Sequence, residues 1–446
     1  MTRMTIASPI ACTILIVAAA QPCQARQAET LRLTVDEAVA RGLATSHRLA
    51  EVAARERGAQ AAVRGALAAE KPTVTAGAGY SRTNHVLEFG FTQPNGSKFI
   101  VYPDIPDNFI TRVGMQWPIY TSGRTDAMER AALAEAQAIG ADLDAARADL
   151  RLEITRSYWA VATAREAARV IEESVARAEA QVKDARDRFA VGVIPPNEVS
   201  SLEAQRSREL AQLIEARNFR ESTLVDLRRL VGAGPDIVIE LAEALDTGST
   251  GSTGSVEAVV AEALSQRPER KSLTFRIDGA EAREQVALTG NKPVVGFGAG
   301  VDYANPNAKI FPRQGIWQTT WDLSVNATWM FFDGGRTKAQ ASEARAVVDA
   351  TRERLSEFDA VVAADVRQRM LDLDSSRAMV VAASDAVRSA ADARRVVGDR
   401  FAAGVATSTD VLVSQVALLE NQLARTRALA NVKLAEARLQ RSVGRP

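Results

Sequence analysis

The sequence contains few residues with reactive side-chain chemistry. Its only cysteines are Cys12 and Cys23, and its only histidines are His47 and His85. With His47 in a predicted helix and His85 in a predicted loop, no Ser-His-Asp arrangement or metal-ligand spacing is formed. The glycines at 296–300 (GFGAG) alternate within a predicted strand and no Gly-Lys-Ser/Thr follows, so they do not predict a phosphate loop. The sequence predicts a protein that is not an enzyme and that has no cofactor and no metal site.

Net charge and aromatic residues are also scarce. The formal net charge is zero, because 55 acidic residues balance 55 basic ones, and the two signs are interspersed. This pattern is typical of solvated helix faces and does not indicate a nucleic-acid partner. Aromatic residues make up only 5% of the chain, which is low for a compact core. The abundant Ala, Glu, Arg and Leu are typical of long helices.

The N-terminus has the pattern of a secretory signal peptide, predicted at 1–25. Arg3 precedes an apolar run at 10–20 that is too short to span a bilayer, and small residues follow, so cleavage is predicted after Ala20 or Ala25. Both cysteines lie in or beside this segment, so the exported chain is predicted to contain none. The alternatives are an uncleaved anchor helix and a lipid anchor on the second cysteine.

The rest of the chain carries the same motifs twice. WPIYTSGRTDAM (117–128) matches WMFFDGGRTKAQ (329–340) at an offset of 212 residues (329 − 117), and DRFAVGV (187–193) matches DRFAAGV (399–405) at the same offset. A repeat that keeps its register over this length predicts a duplicated structural unit.

The duplication defines the predicted domains. The first repeat is predicted at 26–245 and the second at 256–446. Between them, residues 246–255 (DTGSTGSTGS) are rich in Gly, Ser and Thr and predict a flexible linker.

Each repeat contains two short segments that alternate apolar and polar residues. The first of each pair is predicted at 73–81 and 294–303, and the return strands end at the tryptophans of the repeated motif. A period of two predicts strands whose faces meet different environments: a helix and water in a soluble protein, or lipid and water in a membrane barrel. Aromatic residues near the strand ends are typical of an interfacial belt: Tyr80, Trp117, Tyr303, Trp321 and Trp329.

Long segments without proline follow each return strand. Those at 124–190 and 336–402 predict helices on the order of 100 Å long, and shorter helices return at 197–231 and 409–443. A further helix precedes each strand pair, at about 35–70 and 256–290. The predicted strand-to-helix junctions are Gly123, Arg124, Gly335 and Arg336. The predicted fold is α+β and mostly α, with four strands and about six helices per chain.

Four strands cannot form a closed barrel, and open edges in lipid would leave backbone groups unpaired. If the strands span a membrane, the chain must therefore self-associate. Two copies would give an eight-stranded barrel whose interior is filled by side chains, whereas three would give a twelve-stranded barrel with room for a channel. The small residues on the polar face favour an open lumen.

The order, duplication and spacing of these motifs resemble the TolC-type outer-membrane efflux factors over essentially the whole exported chain. The resemblance implies a homotrimer with a 12-stranded β-barrel in the outer-membrane lipid and a long periplasmic coiled-coil tube. It also implies docking on a periplasmic adaptor (membrane fusion protein) and, through that adaptor, on an inner-membrane pump. The chain would then be a passive exit duct for efflux or secretion.

Two functional regions are carried over from the resemblance. The adaptor-docking tips are Val191, Gly192, Val193, Ala403, Gly404 and Val405. Asp410 matches a position where some family members place a ring of carboxylates that narrows the pore. The alternatives are plain helix-hairpin turns at the tips and, for Asp410, an acid that interacts with a helix dipole. Val413 and Ala406 depart from the family's gate pattern, so the resemblance does not supply the closing mechanism.

The main alternative function is a periplasmic coiled-coil adaptor or scaffold protein with a β-rich head. Such a protein would lack a lipid-facing band. The sequence does not indicate which substrate is exported or which adaptor and pump are used.

Overall fold

The computed structural model describes residues 30–246 and 254–445. The predicted signal peptide, 1–25, and most of the predicted linker, 247–253, lie outside the described residues. The elements in chain order are β1 (Thr30–Leu33), α1 (Val35–Thr45), α2 (His47–Ala68), β2 (Thr73–Arg82), β3 (Phe89–Thr92), β4 (Lys98–Tyr102), β5 (Asp107–Tyr120), α3 (Arg124–Ala190), α4 (Pro196–Leu230), β6 (Val238–Leu241), α5 (Val256–Gln266), α6 (Pro268–Leu288), β7 (Val294–Asn305), β8 (Gln318–Thr328), α7 (Arg336–Ala402) and α8 (Ser408–Val443).

Within the described residues there are eight helices and eight strands, so the predicted six and four were too few. The predicted helix at 35–70 is two helices, because Ser46 is extended (ψ 116°) and its hydroxyl accepts the Leu49 N–H (3.3 Å) as the cap of α2. The predicted helix at 256–290 divides at Arg267, directly before Pro268, since the residue before a proline is disfavoured in helical geometry. The additional strands form two small sheets, β1–β6 and β3–β4.

The two long helices confirm the prediction made from the repeat. Helices α3 and α7 each contain 67 residues, and both their first and last residues are 212 positions apart (336 − 124 and 402 − 190). Helix α3 packs against α2, α4, α6 and α8, whereas α7 packs against α5, α6 and α8. The helices therefore form a layer with α2 and α4 at one edge and α7 at the other.

The two largest apolar clusters lie about half-way along the long helices, and two smaller ones lie closer to the tips. One cluster surrounds Ile154 and Tyr158 of α3, where α1 and the β1–β6 sheet gather, and another surrounds Val362 and Val366 of α7, where α5 packs. Towards the strands the buried residues of α3 are mostly alanines, which let neighbouring helices approach closely. Strand β1, near the start of the first repeat, pairs in parallel with β6, near its end. This small sheet therefore joins the two ends of the repeat.

Tyr158 connects that small sheet to α3. Its hydroxyl donates to the Leu33 carbonyl (3.0 Å) and accepts the Glu243 N–H (3.1 Å), and the ring is fully buried. We expect Tyr158→Phe to lower the free energy of unfolding by about 1–3 kcal/mol, because two backbone groups lose their partner. Thermal melting of the detergent-solubilised protein measures this, with the exposed Tyr120→Phe as the control. Equal melting temperatures would show that the hydroxyl adds nothing.

The strands that follow α2 and α6 form one antiparallel sheet in the order β2-β5-β7-β8. One row across it joins Val74, Met115, Ala299 and Leu323. The next row joins Thr75, Gly114, Gly300 and Asp322. The predicted alternation therefore holds in register across four strands and gives an apolar face and a polar face. No strand of the described chain pairs with the outer edges of β2 and β8.

Candidate functional site

The apolar face of the four-stranded sheet is exposed in the single chain, and its aromatic residues lie in two groups. Tyr80, Tyr303 and Trp321 lie towards the loop end of their strands, whereas Trp117 and Trp329 lie at the end next to the helices. All five are exposed. An apolar band with aromatic residues at both ends is typical of a sheet that contacts lipid.

The two tryptophans next to the helices occupy equivalent positions in the repeats. The Trp117 indole N–H donates to the Glu70 carbonyl (3.0 Å), and the Trp329 indole N–H donates to the Asn291 carbonyl (3.0 Å). Each carbonyl lies between a helix end and the first strand of its repeat. The paired bonds orient both indoles with the N–H towards the polar backbone and the ring in the apolar band, which suits a membrane interface.

The aromatic group at the loop end includes two residues that the sequence analysis missed. Trp317 stacks on Tyr303 (centroids 4.8 Å apart), and Phe109 lies 4.9 Å from Tyr80 and 5.9 Å from Trp317. Trp317 directly precedes β8 and Phe109 pairs with Tyr80 in the register. Each has an isoleucine beside it, so a strict alternation of apolar and polar residues does not mark either one in the sequence.

The polar face carries a cluster of charged residues that the sequence analysis also missed. The Arg112 guanidinium donates to Asp302 (2.9 and 3.0 Å) and to Asp322 (3.2 Å to each oxygen). Lys309, from the β7–β8 loop, lies 2.7 Å from Asp302 and 2.5 Å from Asp322. These residues come from β5, β7, β8 and a loop, so only the folded register brings them together.

The glycines of the GFGAG segment make this cluster possible. Gly300 lies between Arg112 and Asp322 on the polar face, and a Cβ there would meet Arg112 Nη2 at 2.5 Å and Cζ at 2.9 Å. The absent side chain lets the guanidinium lie flat across β7. Gly300 thus allows a side chain from the neighbouring strand to lie directly on the backbone of β7.

At the strand-to-helix junctions, α3 and α7 begin at Arg124 and Arg336, each after a glycine in the left-handed region. The φ of Gly123 is 79° and that of Gly335 is 89°. Asp333 caps α7 by accepting the N–H groups of Gly335 (3.0 Å) and Thr337 (2.8 Å). The left-handed glycines let the chain change direction between strand and helix. Asp333, two positions before Gly335, satisfies backbone N–H groups at the start of α7.

The two helix-hairpin tips end with identical backbone geometry. Val193 N–H donates to Arg188 O and Val405 N–H donates to Arg400 O, both at 2.9 Å. Between them, Gly192 (φ 75°) and Gly404 (φ 76°) are left-handed and donate to the phenylalanine carbonyl three residues back, at 2.9 and 3.0 Å. Each is a Schellman motif, in which glycine is strongly preferred.

The tips place small apolar groups at the far end of the molecule. Val191, Val193 and Val405 are 75%, 67% and 65% exposed, and Ala403 is also exposed. The two tips touch through Arg188, whose guanidinium carbon lies 5.3 Å from the centre of the Phe401 ring. The predicted tip residues are therefore exposed, at the ends of two hairpins that contact each other.

Asp410 lies in the first turn of α8 and completes a capping box with Thr407. Its carboxylate accepts the Thr407 backbone N–H (2.9 Å) and hydroxyl (2.8 Å), which hold the pKa of Asp410 below its usual value. A lowered pKa keeps the carboxylate charged at neutral pH, and the cap is lost as the pH falls through it. The capping geometry supports the helix-start role, and the pore role stays a prediction.

Asp410→Asn separates the two roles, because asparagine keeps a cap acceptor without the charge. If Asp410 lies in the pore, we expect the variant to lose cation preference in planar bilayers, since the symmetry-related carboxylates become neutral. The reversal potential in a salt gradient measures this. An unchanged reversal potential would leave Asp410 as a capping residue only.

At positions 30–246 and 254–445, no group of His, Cys, Asp and Glu side chains has a geometry that could hold a metal ion. Over the same residues, every helix is too short or too polar to be a membrane-spanning candidate.

Known proteins share both this sequence pattern and this fold. The chain matches the family described as Outer membrane efflux protein over residues 39–233 and 259–445. It is 25% identical to the outer membrane efflux protein BepC of Brucella suis, over 65% of this chain and 62% of that protein. It is 26% identical to the outer membrane protein TolC of Vibrio cholerae, over 59% of this chain and 60% of that protein. The chain thus spans less than two thirds of the length of these curated relatives.

The fold likeness extends further than the sequence likeness. The crystal structure of the outer membrane protein VceC from Vibrio cholerae superposes with a TM-score of 0.75 at 20% identity, covering 92% of this chain and 96% of that one. The structure shows the same fold, and the family match spans most of both repeats. The chain belongs to the outer membrane efflux protein family.

Proposed function

We propose that three copies of this chain form an exit duct in the outer membrane that receives its substrate from a periplasmic adaptor and, through it, an inner-membrane pump. The observation that carries this proposal is the four-stranded sheet, which has an exposed apolar face and two edges that no strand of residues 30–246 and 254–445 pairs with. In lipid those edges must be paired, and only closure with other copies pairs them all.

The strand directions allow such closure. The sheet is antiparallel throughout, so β2 and β8 at its edges run in opposite directions. Joining β8 of one copy to β2 of the next therefore continues the antiparallel order. Three copies give twelve strands, whose interior is wide enough for a channel, whereas two copies give a barrel filled by side chains.

The helical layer also has two free edges with apolar residues. On α4, Ile214, Phe219 and Val225 are exposed, and on α7 Leu371 and Met379 are exposed. Helix α4 lies at one edge of the layer and α7 at the other, so a neighbouring copy would cover both. The same threefold rotation would close both the sheet and the helical layer. The β-barrel and the helical barrel would then form one continuous tube.

The exposed tips support docking on the adaptor. A surface of small apolar groups around Gly192 and Gly404 suits packing against a partner helix hairpin, because small side chains allow close approach. The tips lie at the opposite end of the long helices from the sheet, where the periplasmic partner would be. The relatives named above are outer-membrane proteins, which favours this function over the periplasmic adaptor or scaffold.

An exit duct needs export, which the predicted signal peptide at 1–25 would provide. The repeats at 26–245 and 256–446 would each contribute two barrel strands and one helix hairpin, giving a sixfold arrangement of similar units in the trimer. Lipid would contact the apolar face between the two aromatic groups.

Cell fractionation followed by single-channel recording tests the proposal. We expect the wild-type protein in the outer-membrane fraction and, after purification, stable open channels in planar bilayers. A protein recovered in the soluble periplasm that forms no channels would support the adaptor or scaffold alternative instead.

A further inference from the structure

The β7–β8 loop, residues 306–317, folds back onto the polar face of the sheet. Lys309 of this loop bridges Asp302 on β7 and Asp322 on β8, with Nζ–O distances of 2.7 and 2.5 Å. Asp302 is opposite Arg112 in the register, and Asp322 is opposite Gly300. The loop thus crosses over the face that the proposed function turns towards the lumen, at the end of the barrel away from the helices.

The loop is fixed on both sides of this lysine. Asn307 is buried, and its amide donates to the Gln318 carbonyl (3.0 Å) and to the Thr320 hydroxyl (3.1 Å). The Asn307 side-chain oxygen accepts the Lys309 N–H (3.0 Å), which orients the lysine backbone. These bonds hold the loop as a strap rather than as a free surface segment.

The other side of the strap is held by Arg313. Its guanidinium donates to Asn108 Oδ1 (3.2 Å) and lies 5.8 Å from the centre of the Tyr102 ring. Tyr102 belongs to the β3–β4 hairpin in the other outer loop. The two outer loops of one chain therefore contact each other across the sheet.

The charges in this cluster balance. Arg112 and Lys309 are positive, Asp302 and Asp322 are negative, and each cation contacts both acids. The Asp302 side chain is only 6% exposed, so it depends on these partners more than a surface carboxylate would. Without Lys309, one negative charge per chain would face the lumen uncompensated.

We propose that Lys309 sets the ion selectivity of the duct's outer mouth and holds residues 306–317 as a strap that narrows it. This rests on the proposed function, because it requires the polar face to line a channel. Rings of side-chain charge control which ions pass a pore, and three copies would repeat the balanced cluster three times. Lys309 is the only one of the four charged groups carried by the loop, so it links the charge balance to the position of the strap.

The test uses Lys309→Gln in planar bilayers under a KCl gradient. We expect the cation-to-anion permeability ratio to rise by about twofold or more, since the trimer loses three positive charges and keeps all its carboxylates. We also expect a higher single-channel conductance, because the strap keeps its Asn307 and Arg313 bonds to the sheet but loses the contact over the middle of the polar face. The control is Lys98→Gln on β4, which removes the same charge from an outer-loop lysine that has no ion pair among the described side chains.

A second variant separates charge from structure. Lys309→Gln with Asp322→Asn restores the charge balance without restoring the strap, so we expect wild-type selectivity together with the raised conductance. A Lys309→Gln channel with wild-type selectivity, or a double variant that stays as cation-selective as the single one, would overturn the role in selectivity. Unchanged single-channel conductance in the single and double variants would overturn the proposal that Lys309 holds the loop as a strap. A wild-type chain that forms no channels would instead overturn the proposed function.

Discussion

Leu323→Arg is expected to remove most of the assembled protein from the outer membrane. Leu323 is 63% exposed on β8 and lies in the row with Met115 and Ala299, between the row of Trp117 and the row of Trp321 on the apolar face. An arginine facing the middle of a bilayer costs about 2–4 kcal/mol in a β-barrel, and a trimer would carry three. Heat-modifiable migration of outer-membrane extracts measures the amount of assembled protein.

The neighbouring residue is a matched control. Ser324 lies on the polar face opposite Gly298, so Ser324→Arg would place the same side chain in the lumen. We expect near-normal amounts of this variant, because its charge stays in water. If both variants assemble equally well, the apolar face does not contact lipid.

Gly404→Leu is expected to abolish export while leaving the assembled trimer intact. Gly404 has a φ of 76°, where a residue with a Cβ costs about 1–2 kcal/mol. A Cβ at Gly404 would meet no atom within 4 Å, so the effect comes from backbone strain and from bulk on the docking surface, not from an internal clash. We expect about a tenfold or greater loss of survival against compounds whose export depends on the wild-type chain, since each loss of about 1.4 kcal/mol from docking lowers the affinity tenfold.

The control for the tip is Gly398→Leu. Gly398 lies within α7, six positions before Gly404, and a Cβ there would also meet no atom within 4 Å. Its backbone is helical, so leucine suits the position better than glycine does. If export fails in both variants, the substitutions act generally on the end of the helix. If export survives in Gly404→Leu, the tip is not part of the adaptor-docking surface.

Periodicity and duplication predicted the long helices and the sheet because both are local patterns with a fixed repeat. The bounds of α3 and α7 match the predicted 124–190 and 336–402, since proline and glycine mark where such helices end. The short helices were harder to predict. The break at Ser46 depends on one capping hydroxyl, and its flanking residues continue a helical pattern.

The charged cluster could not be predicted for a different reason. Arg112, Asp302 and Asp322 come from three strands whose register depends on the folded sheet, and Lys309 reaches them from a loop of irregular geometry. In the sequence each looks like an ordinary surface charge. The small sheet of β1 and β6 was missed for the same reason, because its strands are about 200 residues apart and only four residues long.

If three chains close one barrel in the outer membrane, the extracted protein is a trimer. Native mass spectrometry of the protein extracted from outer membranes in detergent measures this. We expect a mass three times that of the exported chain, with no substantial monomer. A monomer, or a dimer with eight strands, would contradict it.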